Sequence, residues 1–257
     1  MMRAKRTVMN AWRTAAMTLV ALSALSAASA NLVQDPSFET TQSNNTYGFP
    51  PTTWFAGQSF GSTASGDTSG TSQVWVVTSG SIDLVNGPNF GHPNGGGDQF
   101  VELNGNNPGA IRQTVTVGVG GLYDFSFYYG GYAATESGLD AASDYVLRAR
   151  ARIVDSSNNV VHNAIVSWSI AAAGGFNGSW INTPYMAQFV LPAGTYLIEF
   201  ETLHFGGVDS NNNYIPDYFG PRIDGVNLSL VPEPASMVAL GAGLTGLLGL
   251  RRRRARG

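Results

Sequence analysis

Tyr145-Val146-Leu147-Arg148-Ala149-Arg150-Ala151-Arg152-Ile153 is the stretch on which the reading of this chain turns. Tyr145, Leu147, Ala149, Ala151 and Ile153 fall on one side of a period-two pattern, and Arg148, Arg150 and Arg152 fall on the other. Successive side chains of a strand point to opposite faces of a sheet, so this alternation predicts a strand with one buried and one wet face. A sheet solvated on one side is the habit of antiparallel architectures.

The same period recurs on both sides of it. Runs of this kind occupy Ala110 to Val117, Leu122 to Tyr129, Val160 to Trp168, Tyr185 to Leu191, Thr195 to Thr202 and Arg222 to Leu230, with shorter ones at Gln73 to Val77, Ser81 to Val85 and Gln99 to Leu103. Tyr123, Phe125, Phe127 and Tyr129 share a face and are the best candidates for the core. In Thr195 to Thr202 the inward set is Tyr196, Ile198 and Phe200, which leaves Glu199 and Glu201 outside. Were that strand to lie beside Tyr145 to Ile153, those glutamates would pair with Arg148 to Arg152. Such pairs are worth only about 0.2–1 kcal/mol each and serve register more than stability. The linkers are rich in Gly, Asn, Ser and Pro, no stretch carries a convincing helical period, and Ser59 to Ser72 is low-complexity and reads as a mobile surface loop. About ten short strands between turn signals predict an all-β protein, an antiparallel sandwich or a barrel.

The two ends are different in kind. Arg3, Lys5, Arg6 and Arg13 precede an apolar stretch from Ala15 to Ala28, and Ala28-Ser29-Ala30 has the small-x-small form of a cleavage site. These are the parts of a secretory signal in order, so residues 1–30 read as a signal helix cut by signal peptidase, and the mature protein begins near Asn31. At the other end Ala235 to Leu250 is apolar for 16 residues, and five arginines follow among Arg251 to Arg256. As a helix it would span about 24 Å, against a hydrocarbon core of roughly 30 Å, so it can enter a membrane but is a marginal permanent anchor. The arginines hold its end in the cytoplasm, and everything between the two ends is exported.

Of the 14 basic residues, four lie before Ala30 and five after Leu250, which leaves five, all arginine; 16 of the 17 acidic residues lie between Asn31 and Leu230. The exported body therefore carries a net charge of −11 although the whole chain carries −3. A body of that sign repels phosphate backbones, which speaks against nucleic acid as a partner. The absence of cysteine excludes disulfides, thiolate metal sites and cysteine nucleophiles. Two hundred residues, 31–230, are ample for one hydrophobic core without such staples. They read as one domain.

The close of the chain resembles a known signal. Val231-Pro232-Glu233-Pro234-Ala235, a short apolar helix and then Arg251, Arg252, Arg253 and Arg254 look like the PEP-CTERM sorting signal of Gram-negative bacteria. That resemblance covers residues 231–257. It implies a transient transmembrane helix, recognition and cleavage by an exosortase, and delivery to the outer surface or to an extracellular matrix from an inner-membrane precursor.

The body resembles a second group. Asn31-Leu32-Val33-Gln34-Asp35-Pro36-Ser37-Phe38-Glu39 is similar to the first strand of galactose-binding-like jelly rolls, though Gln34-Asp35-Pro36 departs from the usual Asn-Gly. Trp54, Gly97 to Gly105, Gly109 to Val115, Gly121 to Phe127 and Gly220 to Val226 complete a set similar to the choice-of-anchor jelly rolls, relatives of carbohydrate-binding modules. The resemblance implies a jelly-roll sandwich and a structural Ca²⁺ ion joining the first strand to the last through Glu39 and Asp224. Asp224 shares parity with Val226 and Leu228 and so points inward, where a carboxylate needs a cation or several hydrogen bonds; oxygen ligands suit calcium. A carboxylate capping backbone N–H groups in a turn is the alternative. A second calcium candidate is Asp209-Ser210-Asn211-Asn212-Asn213-Tyr214-Ile215-Pro216-Asp217, with Asp209, Asn211, Asn213 and Asp217 at alternate and closing positions. There Tyr214 stands where a calcium loop uses glycine, and a solvated asparagine-rich loop is the alternative.

Catalysis finds little support. Gly57-Gln58-Ser59-Phe60-Gly61 matches a nucleophile elbow, but that motif needs a strand-to-helix turn. His92, His162 and His204 lack metal-ligand spacing, and Asp98 and Glu102 simply share a strand face. Trp54, Trp75, Tyr128, Tyr132, Trp168, Trp180 and Tyr218 exceed what one core face requires, so some could stack on sugars, although for any single ring the core is the better reading. The expectation is a non-enzymatic, exported surface or matrix protein binding extracellular polysaccharide. A purely structural or adhesive surface protein is the first alternative, and a secreted hydrolase the second.

Overall fold

The alternating arginine stretch folds as its pattern demands. In the computed structural model, which describes residues 30–39, 52–60, 74–86, 99–131, 146–169, 180–181, 183–203, 207–208, 214–215 and 220–232, Leu147, Ala149, Ala151 and Ile153 are buried, Arg148 is exposed, and Arg150 and Arg152 are half-buried. The signal segment, Glu233 and Pro234, the apolar helix and arginine tail, Asp209, Asn211, Asn213 and Asp217 all lie outside the described residues. Among the described residues no helix is long and apolar enough to cross a membrane.

In chain order the strands are β1 (Thr52–Phe55), β2 (Ser59–Phe60), β3 (Trp75–Ser79), β4 (Ser81–Asn86), β5 (Gln99–Glu102), β6 (Ala110–Val117) and β7 (Gly121–Gly130). They continue as β8 (Val146–Asp155), β9 (Val160–Ser169), β10 (Tyr185–Leu191), β11 (Gly194–Thr202), β12 (Gly207–Val208), β13 (Tyr214–Ile215) and β14 (Arg222–Leu230). Two six-stranded sheets result, one ordered β1-β4-β5-β14-β7-β10 and the other β2-β3-β6-β11-β8-β9, with β12 and β13 forming a small ribbon. Their pairings are antiparallel. The molecule is an all-β sandwich, and Asn31–Leu228 forms one compact unit.

Between the sheets the inward parity of each strand is apolar. Phe125 and Phe127 of β7 meet Phe200 of β11 at 6.4 and 5.0 Å between ring centres, and Trp75 of β3 reaches Phe200 at 6.2 Å and Phe38 at 5.3 Å. On the outer side of the second sheet, β11 lies beside β8 as the charges foretold: Arg152 pairs with Glu199 at 3.1 Å and Arg150 pairs with Glu201. The β8–β9 hairpin closes on Asp155, whose carboxylate accepts from the N–H groups of Ser157 and Asn159 at 2.8 and 2.9 Å, while Asn158 takes a φ of 65°. The Asn159 side-chain amide, which donates to the same carboxylate at 2.9 Å, and then these backbone bonds hold the Asp155 carboxyl below its ordinary value.

Two expectations need correction. Asn31–Glu39 is not a regular strand, because Asp35 and Phe38 adopt φ values of 46° and 59° and Pro36 has no N–H to give a ladder. It is nonetheless stitched to β14: Leu32 N–H donates to Leu228 C=O at 2.8 Å, Val226 N–H donates to Pro36 C=O at 2.9 Å, and the Asn31 amide bonds Val226 C=O and Leu228 N–H. The stretch after Gln58 is not loop from its first residue, since Ser59–Phe60 pairs with Trp75–Val76; residues 61–72 lie outside the described set. A turn at Phe55–Gln58, with Gly57 at a φ of 88°, carries the chain from β1 in one sheet to β2 in the other.

Candidate functional site

The place where the first segment meets the last strand is the chemically loaded part of the body. Phe38 N–H donates to Asp35 C=O at 3.3 Å and the Trp75 indole donates to the same oxygen at 3.2 Å, so the Asp35–Glu39 turn is fixed from inside and from the opposite sheet. Glu39 then accepts the Gln99 N–H on its carboxylate at 2.6 Å, and its backbone carbonyl accepts the Gln99 side-chain amide at 3.2 Å. On β14 the chain changes step at Gly225, whose φ is 58°. A Cβ there would sit 2.9 Å from the Tyr128 ring, so this position suits glycine on both counts.

The step leaves Asp224 with no exposed surface. Its Oδ1 accepts the Gly225 N–H at 2.6 Å, and its Oδ2 is buried with no hydrogen-bond partner. Burial first, and then the like charges of Glu39 and Asp35, push its carboxyl from 3.8 up to about 9, against the opposing pull of the Gly225 bond. Glu39 and Asp224, named from sequence, are thus electrostatic neighbours, and Asp35 joins them. Among the described residues, no three His, Asp or Glu side chains stand close enough to hold a metal ion by themselves. A cation here would need carbonyl oxygens as well as the acids, as calcium commonly does. The donor set, hard oxygens around an orphaned carboxylate oxygen, fits that ion.

A second charged row crosses the outer face of the first sheet, and the sequence did not reveal it. Thr53, Asp83, Glu102 and Arg222 stand in register on β1, β4, β5 and β14. Thr53 Oγ1 donates to Asp83 at 2.6 Å, Gly220 N–H donates to Glu102 at 2.9 Å, and the Arg222 guanidinium lies 4.9 Å from the centre of the Phe100 ring. Burial raises the Asp83 carboxyl, with the Thr53 bond acting against it. Two adjacent carboxylates invite a catalytic reading, yet a Cβ on Gly105 would lie 2.9 Å from Asp83 and 3.0 Å from Ser81. Gly105 thus packs closely against this end of the row, where the Thr53–Asp83 bond ties β1 to β4.

The other sequence candidates separate cleanly. Ser59 sits on a strand paired with β3 and follows a hairpin-like turn, so the nucleophile elbow is not formed. His162 is a strand residue whose Nε2 shares a 2.9 Å hydrogen bond with the Tyr185 hydroxyl. Trp75 and Trp168 are core, and Trp180 packs edge-on against Phe100 at 5.3 Å beside Val85 and the half-buried Tyr128. His92, His204, Asp98, Tyr132 and Tyr218 lie outside the described residues. Phe55, which sequence reasoning passed over, is an exposed aromatic ring, at 46%.

Residues 230–254 match the PEP-CTERM protein-sorting motif. That motif indicates export with exosortase processing at the membrane. No curated protein sequence matches the chain. Among solved structures, a family 61 carbohydrate-binding module in complex with β-1,4-galactotriose is 12% identical with a TM-score of 0.40, over 79% of this chain and 100% of that one. A family 35 module from Clostridium thermocellum is 15% identical with a TM-score of 0.36, over 60% of this chain and 90% of that one. An isomalto-dextranase of Arthrobacter globiformis is 13% identical with a TM-score of 0.36 over 60% of this chain, which spans only 21% of that enzyme. None of the three is near enough to lend this chain its ligand.

Proposed function

We propose that this chain is an exosortase-sorted cell-surface or extracellular-matrix protein whose sandwich serves as a non-catalytic carbohydrate-binding module. The observation that carries the reading is the sorting motif over residues 230–254 at the end of an all-β body. Among the described residues, several acids that could serve a hydrolase have partners of their own: Asp83 bonds Thr53, Glu102 bonds Gly220, and Glu199 and Glu201 pair with arginines. Calcium, held by Asp35, Glu39 and Asp224 with neighbouring carbonyls, would tie the first segment to β14 and supply charge compensation to the buried acid. Phe55 offers an exposed ring for stacking on a sugar face. The burial of Trp75, Trp168 and Trp180 favours the second reading, a structural or adhesive surface protein without a sugar site, while Trp54 is half-buried.

One experiment addresses sorting and binding together. In the native host, the mature protein should lack residues 235–257, and deleting the exosortase gene should leave an uncut precursor in the inner membrane. Recovery of a full-length tail from wild-type cell surfaces would refute sorting by cleavage. The surface protein should also sediment with the host's own polysaccharide, and substituting Phe55→Ala should weaken that retention several-fold. No retention on any glycan would leave the structural reading.

A further inference from the structure

Four of the five arginines of the exported body, Arg112, Arg148, Arg150 and Arg152, stand on one face of one sheet, the outer side of β6, β11 and β8. Only two acids, Glu199 and Glu201, share that face on those strands, although the body holds 16. The face is thus net +2 on a body of −11.

The pairing within the face is uneven. Glu199 lies cross-strand between Arg112 and Arg152 and takes Arg152 at 3.1 Å, while Glu201 takes Arg150. Arg112 and Arg148 are exposed and, among the described residues, neither has an acidic partner. With strands about 4.8 Å apart and a rise of about 3.3 Å per residue, these two positions stand about 16 Å apart on a diagonal. A single sugar ring cannot reach both. A chain can.

Around them hydrogen-bonding side chains alternate with a few apolar ones, Ile165 opposite Arg150 and Val76 opposite Arg112 among them. Asn163 and Ser167 lie opposite Arg152 and Arg148 on β9, and Thr114, Thr116 and Thr195 extend the same face over β6 and β11. No aromatic ring stands on the exposed parity of β6, β8, β9 or β11. Single-stranded nucleic acids need such rings for base stacking. A protein interface would deplete charge at its centre, where this face concentrates it.

We propose that this face docks a linear acidic polysaccharide, whose carboxylates meet Arg112 and Arg148 while Thr, Ser and Asn side chains bond its hydroxyls. The proposal rests on the glycan-binding reading above and adds to it the charge class of the glycan. Paired with glutamates, Arg150 and Arg152 keep the row extended without adding net charge, so binding is electrostatic, modest per site and additive along a polymer.

The test uses the exported protein purified from its host, run through gels containing polygalacturonate, neutral dextran or double-stranded DNA. Polygalacturonate should retard it, and added salt should abolish the effect. R112E/R148E should raise the apparent dissociation constant at least tenfold without altering the melting transition or retention on neutral glycans, and R112K/R148K should bind nearly as the parent does. If the double reversal disturbs the melt, R148Q replaces it, with a several-fold loss expected. Unchanged retention of the reversed variant, or equal retention by DNA, overturns the proposal. Retention on neutral glycans alone overturns it too and leaves the earlier reading standing, whereas retention on none sinks both.

Discussion

Asp224 shows how one residue can make stability depend on both pH and a cation. Its carboxyl is pushed from 3.8 up to about 9 because burial strips it of water and Glu39 and Asp35 add like charge. The folded chain therefore keeps a proton that the unfolded chain releases above about 4. The contribution of this group is complete below that value, declines as pH rises, and is gone by about 9. Calcium reverses the preference, since it requires the ionised form. In chelator the melting temperature should fall between about pH 5 and about pH 8, and calcium should restore it at the higher pH while doing little at the lower. Asp224→Asn should remove both this slope and the response to calcium. An equal calcium shift in the Asn variant would rule out the site. Parity with Val226 and Leu228 points to this acid, but nothing of the kind points to its neighbour Asp35, because the turn that brings Asp35 inward depends on two left-handed residues with no pattern of their own.

At the scale of elements, length decided what could be read. Strands of seven residues or more announce themselves: Ala110–Val117, Tyr185–Leu191 and Arg222–Leu230 have the ends their alternation predicts. The partnership of β8 with β11 was legible too, because opposite charges occupy matching outward slots. Ser59–Phe60 holds too few residues to display a period, Thr52-Thr53-Trp54-Phe55 does not alternate, and nothing local marks which sheet they join. The seam between edge strands β9 and β10 was equally hidden. There His162 stacks on Phe189 at 4.8 Å, meets Phe125 edge-on at 5.9 Å and bonds the Tyr185 hydroxyl. Burial pushes its pKa below the ordinary 6.5, so the folded state takes a proton less readily than the unfolded one. The stability it supplies is full above about 6.5 and is lost as pH falls below that. Heat denaturation of His162→Phe, compared with the parent between about pH 7 and about pH 5, should show a shallower acid loss; parallel curves would exclude a role for this ring.

For the whole molecule the question is what fastens two sheets beyond their shared core. Residues 31–39 do so, lying along β14 in one sheet and clasped by the other. The Gln113 side chain of β6 accepts the Gln34 N–H at 2.7 Å and donates to the Gln34 carbonyl at 2.8 Å, acting as a strand made of one amide. Its place at an inward slot of an otherwise apolar run is visible in the sequence; its distant partner is not. Gln113→Leu keeps the volume but leaves both Gln34 groups unmet, which should cost about 2–3 kcal/mol and lower the melting temperature by about 5–10 °C. A change of less than about 1 °C would mean that water replaces the amide without loss.

β14 itself has one further consequence. It is the fourth of six strands in its sheet, flanked by β5 and β7, and it is also the strand that leads out toward the sorting tail. Tension entering through the carboxyl end therefore runs lengthwise down an interior strand. Near that end the strand is held by Leu32 and Asn31 rather than by β5, which it meets only at Arg222 and Ile223. A pull on the tail thus loads the first segment before the sheet.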